Sequence, residues 1–328
     1  MKRITLALPA PYVGLRPFTE AEALLFFGRD AHVRDLLGKL ERKQRFVAVL
    51  GASGTGKSSL VRAGLIPALH RGALHPRQTE LPATAASTQQ WNVCIFQPGD
   101  APLAHLAHAL TEDERWADSA DRAVAESSLA TLLGASPLAL ADLFREKSAL
   151  FGVESLLVVV DQFEEIFRYR QRNPDEAESF VKLLLRSASE DVPIYVVMTM
   201  RSDFLGNAVV FHGLPEAINS GIYLTPRLHA EQIRSVITSP LALVGGSIDP
   251  VLANRLLNTL SGEDELPVLE HALLRMWDRA RSLGRTSIEA ADFSAVCAPR
   301  AAPPHGEDNR ADPPDGEPTL SFAIDNHG

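Results

Sequence analysis

Nine consecutive residues, Gly51, Ala52, Ser53, Gly54, Thr55, Gly56, Lys57, Ser58 and Ser59, combine three glycines with a lysine and four hydroxyls. The spacing Gly51-x-x-x-x-Gly56-Lys57-Ser58 is that of a phosphate-binding P-loop. Glycines let such a loop curl so that successive backbone N–H groups converge on anionic oxygens. A helix starting near Lys57 aims the positive end of its dipole at the same point. Lys57 is then expected to neutralise the β- and γ-phosphates of a nucleotide, and the Ser58 hydroxyl to ligate Mg²⁺.

A second group of chemically capable side chains follows about a hundred residues later. The run Leu156-Leu157-Val158-Val159-Val160 ends in Asp161, with Glu164 and Glu165 just beyond. A carboxylate at the C-terminal end of a parallel strand points into the crevice where ligands bind, so Asp161 is a candidate to hold Mg²⁺. Glu164 or Glu165 could orient and deprotonate an attacking water, Glu164 being the first choice. The run Ile194 to Met198 leads to Arg201. In P-loop folds whose catalytic glutamate follows the third strand, the fourth strand lies between the first and third. A cation at its end would stabilise charge developing on a transferred phosphoryl group. No Asn/Thr-Lys-x-Asp guanine-reading motif occurs, so ATP is the expected nucleotide.

These groups need a scaffold of alternating strands and helices. Phe46–Leu50, Trp91–Phe96, Leu156–Val160, Ile194–Met198 and Ile222–Leu224 read as strands. Their near-continuous apolar character is that of parallel strands covered on both faces. Before the first strand lie a capping box at Thr19-x-x-Glu22 and a helix over 32–43; between later strands lie two or three helices over 102–150 and one opening at Asn173-Pro174. From about Pro226 the pattern turns wholly helical, over 229–243, 249–260 and 266–283. Residues 71–90 read as a loop. The stretch from 298 onward, rich in proline and charge, reads as disordered. The expected fold is α/β, a P-loop NTPase sheet with helices on both faces, then a small helical subdomain and a disordered tail. Its divisions are an extension over 1–10, the NTPase domain over 11–225, a helical lid over 226–297 and the tail over 298–328.

Composition narrows the partners. At 328 residues, 45% hydrophobic and 22% charged, the chain has the make-up of an ordinary globular protein. A net charge of −9 argues against nucleic acid as the main partner. No apolar stretch approaches the roughly 20 residues that span a bilayer, and a cytoplasmic location is expected. Cys94, in an apolar strand-like run, reads as a buried free thiol.

In combination these segments resemble the STAND NTPases (signal-transduction ATPases with numerous domains), and within them the first novel STAND family, often found ahead of WD40 repeats. The resemblance runs from "PYVGLRPF" at Pro11 to about Asp292 and includes "FFGRD" at Phe26, "PGDAPLAHLAHAL", "DQFEEIF", "MTMRSDF" and "ELPVLEHALLRMW". It implies that Gly28 and Arg29 contact the base and ribose and that Pro267 closes over the nucleotide. Asp30 stands where the family has glutamate, and Glu265 where it has glycine. The resemblance also implies a regulatory switch. Slow Mg²⁺-dependent ATP hydrolysis would change conformation or assembly, through self-association or protein partners. No sensor or effector segment is recognisable in these 328 residues. Two alternatives remain at this point: a scaffold that binds ATP without hydrolysing it, and an origin-recognition-like DNA-binding ATPase.

Overall fold

The structure, a computed structural model, describes residues 10–74, 91–116, 121–260 and 265–298 together with Leu320 and Ala323. Two compact units divide the chain. One comprises residues 31–52 and 60–226, the other residues 1–30, 53–59 and 227–328.

The larger unit is built on five parallel strands: β1 (Phe46–Gly51), β2 (Trp91–Phe96), β3 (Ser155–Val160), β4 (Ile194–Arg201) and β5 (Ile222–Leu224). Their order across the sheet is β2-β3-β4-β1-β5, so the fourth strand does lie between the first and third. Every residue of β1 and β3 is buried, as their near-continuous apolar sequences require of strands covered on both faces. Helices Pro102–Thr111, Pro174–Ser189 and Leu214–Gly221 pack on this sheet, and one hydrophobic cluster runs through strands and helices alike. The helix Pro174–Ser189 starts as its sequence dictates: the Asn173 side chain accepts from the Glu176 N–H, and proline occupies the first turn. Cys94 is buried and free.

The stretch after Lys57 is less regular. Lys57–Ser59 is α-helical, Leu60–Leu65 is π-helical, and Ile66–His70 resumes the α form. The expected loop over 71–90 lies outside the described residues beyond Leu74.

The smaller unit is helical, with Ala230–Leu243, Pro250–Thr259 and Glu265–Ser282 close to the expected spans. Two further pieces were not legible in the sequence: the two-residue parallel ladder of β6 (Ser247–Ile248) with β7 (Ser287–Ile288), and the helix Ala290–Val296. Strands of two residues carry too little pattern to read. Tyr12 belongs to this unit's core with Ile237, Leu256, Leu273 and Phe293, and its hydroxyl donates to the Ile237 carbonyl.

Of the expected tail, only Ala298, Leu320 and Ala323 fall among the described residues. Leu320 and Ala323 are 5% and 0% exposed and join the helical cluster. Truncation after Ala298 therefore removes a buried leucine, a loss of about 2–5 kcal/mol by analogy with buried Leu→Ala changes. Thermal melting of the shortened chain is expected several degrees lower, and Leu320→Ala in the full chain should lower it in the same direction. Unchanged melting for both would remove these residues from the core.

The charge of one buried carboxyl, Glu270, is felt by the Tyr12 hydroxyl. Burial pushes Glu270 up to about 8, opposed by one backbone hydrogen bond from Val13. Its Oε2 has no hydrogen-bond partner among the described residues. Unfolded, the group titrates near 4.5, so the folded chain holds this proton between about 4.5 and about 8. The stabilisation is full below about 4.5 and is lost as pH rises towards about 8, with a slope of up to about 1.4 kcal/mol per pH unit. Urea denaturation across this window should show wild-type stability falling with pH. Glu270→Gln should flatten that decline, and a variant as steep as wild type would place its origin elsewhere.

Candidate functional site

The candidate residues fall in both compact units, and each group has its own geometry. In the smaller unit the Ser53–Ser59 loop carries left-handed glycines, with φ +69° at Gly54 and +82° at Gly56. L side chains rarely adopt that region, so the sequence places glycine where the curl demands it. A Cβ built on Gly56 would meet nothing within 4 Å, so the loop opens onto free space there. Arg29, only 3% exposed, donates from Nη2 to the Thr55 carbonyl at 2.7 Å. A buried guanidinium thus fastens the loop backbone from the "FGRD" segment. The Phe18 N–H donates to Ser59 Oγ at 3.1 Å, tying the "RPF" segment to the start of the helix. Gly28, at φ +79°, lies so close to the Gln232 carbonyl that a Cβ would come within 2.8 Å of it. Pro267 sits half-buried in the first turn of Glu265–Ser282.

In the larger unit, β1 ends at Gly51, whose register partner on β4 is Arg201, and Ala52 follows. Asp161 follows β3 and is 2% exposed. Its Oδ1 accepts from Thr199 Oγ1 at 2.6 Å, and its Oδ2 accepts from Arg62 Nε and Nη2 at 3.1 and 3.0 Å. The next residue, Gln162, has φ +56°, unusual for a side chain of its size. Its N–H donates to the same Thr199 hydroxyl at 3.0 Å, and the Phe163 N–H donates to the Thr199 carbonyl at 2.9 Å. Thr199 therefore fixes both the carboxylate and the turn that presents the two glutamates.

Those glutamates diverge. The Glu164 carboxylate accepts from the Arg201 backbone N–H at 3.4 Å, whereas Glu165 accepts from the Gly99 N–H at 2.9 Å. Glu164 is thus directed to the end of β4 and Glu165 to the turn after β2. The Arg201 guanidinium donates to both Asp203 oxygens, at 3.1 and 2.7 Å, and lies 5.6 Å from the Phe204 ring centroid. Asp203 would compete with a ligand for these two nitrogens of Arg201.

Sequence reasoning missed Arg62 and Thr199. Arg62 could have been noticed as the one charge in the otherwise apolar run Leu60-Val61-Arg62-Ala63-Gly64-Leu65-Ile66. A lone charge in a buried run demands a partner. Thr199 carries no such mark.

The chemistry of the donor set suits Mg²⁺, which takes hard oxygen ligands and is commonly held by one or two carboxylates together with substrate phosphates. Asp161 carries such oxygens in the larger unit, and Ser58, taken by itself, carries one in the smaller unit. Among the described residues no group of three or more His, Cys, Asp or Glu could hold a metal ion by itself. Likewise, no helix among the described residues is long and apolar enough to cross a membrane.

Solved structures share this fold. The Aeropyrum pernix ORC2 protein, in its ADPNP–ADP complexes, matches at 16% identity and TM-score 0.52, over 83% of this chain and 66% of that one. The Aeropyrum pernix ORC1 protein in complex with DNA matches at 15% and 0.52, over 83% and 67%. The Cdc6p protein of Pyrobaculum aerophilum matches at 12% and 0.50, over 81% and 65%. The chain thus spans about two thirds of these relatives or slightly less. At such identities the likeness establishes the P-loop NTPase fold alone. One of them was solved on DNA, so the expectation that nucleic acid is an unlikely partner gains no support here. Comparison with curated proteins finds no match. The model of the family described as novel STAND NTPase 1 matches residues 11–298, nearly the whole described chain. The chain belongs to the novel STAND NTPase 1 family.

Proposed function

We propose that this chain is an ATP-binding switch with slow, Mg²⁺-dependent hydrolysis. The observation that carries the reading is the Ser53–Ser59 loop. Its left-handed glycines, the open space over Gly56 and the buried Arg29 on its backbone suit a cradle held ready for phosphate. Gly51 to Ser59 would wrap the phosphates, with Lys57 as the point charge and the Ser58 hydroxyl as a metal ligand. Asp161 would supply the carboxylate for Mg²⁺. Bound Mg²⁺ would neutralise phosphate oxygens. Glu164 is the proposed general base. Arg201, once free of Asp203, would serve as the cation that distinguishes ATP from ADP. Gly28 and Pro267 are proposed to border the nucleotide, and Arg29 to shape its loop. Hydrolysis or exchange would alter self-association or binding of a partner protein, in a cytoplasmic setting.

A second reading, a scaffold that binds ATP without turning it over, draws support from Asp161, both of whose oxygens are already engaged. A third, DNA-dependent activity, draws on the ORC1 neighbour solved with DNA. Calorimetric titration with ATP and ADP, followed by phosphate release with and without duplex DNA, tests all three. The switch predicts tight ATP binding and slow release unaffected by DNA. Binding without release would favour the scaffold, stimulation by DNA the third reading, and no binding would end the first two.

A further inference from the structure

The Asp161 carboxylate already has a cation. Arg62 reaches it from the π-helical Leu60–Leu65 segment, Nε and Nη2 both on Oδ2, while Thr199 holds Oδ1. The pair is secluded on the acid's side: Asp161 is 2% exposed against 28% for the Arg62 side chain. A carboxylate offers about four lone-pair positions, and these three donors occupy most of them. An isolated charge here would be costly, so the protein needs a counter-cation whenever no metal is present. The π-helical turn, a form that recurs at functional sites, is the local irregularity from which the guanidinium is delivered.

We propose that Arg62 is a built-in competitor of Mg²⁺ for Asp161, setting how strongly nucleotide binding depends on the metal; this rests on the nucleotide reading above. Mg²⁺ that draws on Oδ2 must take it from Arg62, so part of the metal's attraction is spent on breaking an existing ion pair. Partial exposure of Arg62 gives it room to move towards solvent when it does so. The arrangement keeps Asp161 satisfied in the metal-free protein and weakens metal-bound nucleotide relative to a chain without the arginine.

The test compares wild type, Arg62→Gln and Arg62→Lys, using a fluorescent ADP analogue titrated in excess Mg²⁺ and in excess EDTA. Arg62→Gln, which removes the charge, is expected to tighten binding in Mg²⁺ about tenfold, the scale of one charge-assisted contact. Binding in EDTA should not tighten. Without nucleotide or metal, the same variant should melt at a lower temperature, because Asp161 has lost the Arg62 guanidinium. Arg62→Lys keeps the charge and should stay near wild type in Mg²⁺, which guards against misfolding of the glutamine variant. Weaker binding of Arg62→Gln in Mg²⁺ would make Arg62 a positioning residue for the metal ligand and overturn the proposal. So would equal affinities in all three proteins, or equal tightening by lysine and glutamine. Failure of wild type to bind the analogue under either condition would overturn the nucleotide reading itself, and this proposal with it.

Discussion

Lys57→Ala is expected to lose tight ATP binding. The lysine opens the helix after Gly56, where the loop's remaining contribution to an anion is backbone N–H and helix dipole. Those groups survive the substitution, but the single full positive charge of the loop does not. Two charge-assisted contacts to phosphate, at about 1.5–3 kcal/mol each, correspond to a loss of about a hundredfold or more in affinity. Calorimetry with a non-hydrolysable ATP analogue measures it directly. Arg29, tied to the Thr55 carbonyl, keeps the loop's shape, so circular dichroism and melting should remain those of wild type. Undiminished affinity in a folded Lys57→Ala protein would show that the loop is not the nucleotide site.

Glu164→Gln is expected to do the opposite, keeping binding while slowing phosphate release by about a hundredfold or more, the contribution of a positioned general base. Glutamine preserves the acceptor for the Arg201 N–H, so the turn after β3 should hold. What disappears is the ability to take a proton. Glu165→Gln is the natural control, because that carboxylate accepts from the Gly99 N–H at 2.9 Å and an amide oxygen can replace it there. Single-turnover kinetics separate the two. A large loss with Glu165→Gln and none with Glu164→Gln would reverse the assignment.

The strands were legible because each is an apolar run bounded by turn residues, and a strand buried on both faces leaves that trace and little else. Asp161 was legible for the same reason: the first charge after five apolar residues marks where β3 ends. Its surroundings were not. Arg62 and Asp161 are 99 positions apart, and no local pattern connects them. Tyr12 and Ile237 are 225 positions apart, so the start of the chain carried no hint that it completes a helical core. Leu320 and Ala323 are small exceptions in a stretch dominated by proline and charge, where composition speaks for the majority. The divergence of Glu164 and Glu165 depends on the left-handed Gln162, and glutamine does not advertise that conformation.

The division into units has a consequence for how this protein can be inherited and cut. The chain passes between them at 30/31, 52/53, 59/60 and 226/227. A gene fragment beginning at 227 would encode most of the helical core but omit Tyr12, whose hydroxyl meets the Ile237 carbonyl inside it. A fragment ending at 226 would keep Gly28 but discard the Gln232 carbonyl against which that glycine packs. Neither half is a shuffling module. Recombination that joined residues 1–226 of one relative to the rest of another would have to match Tyr12 and Gly28 to a foreign helix, so the two ends of this chain should travel through evolution together.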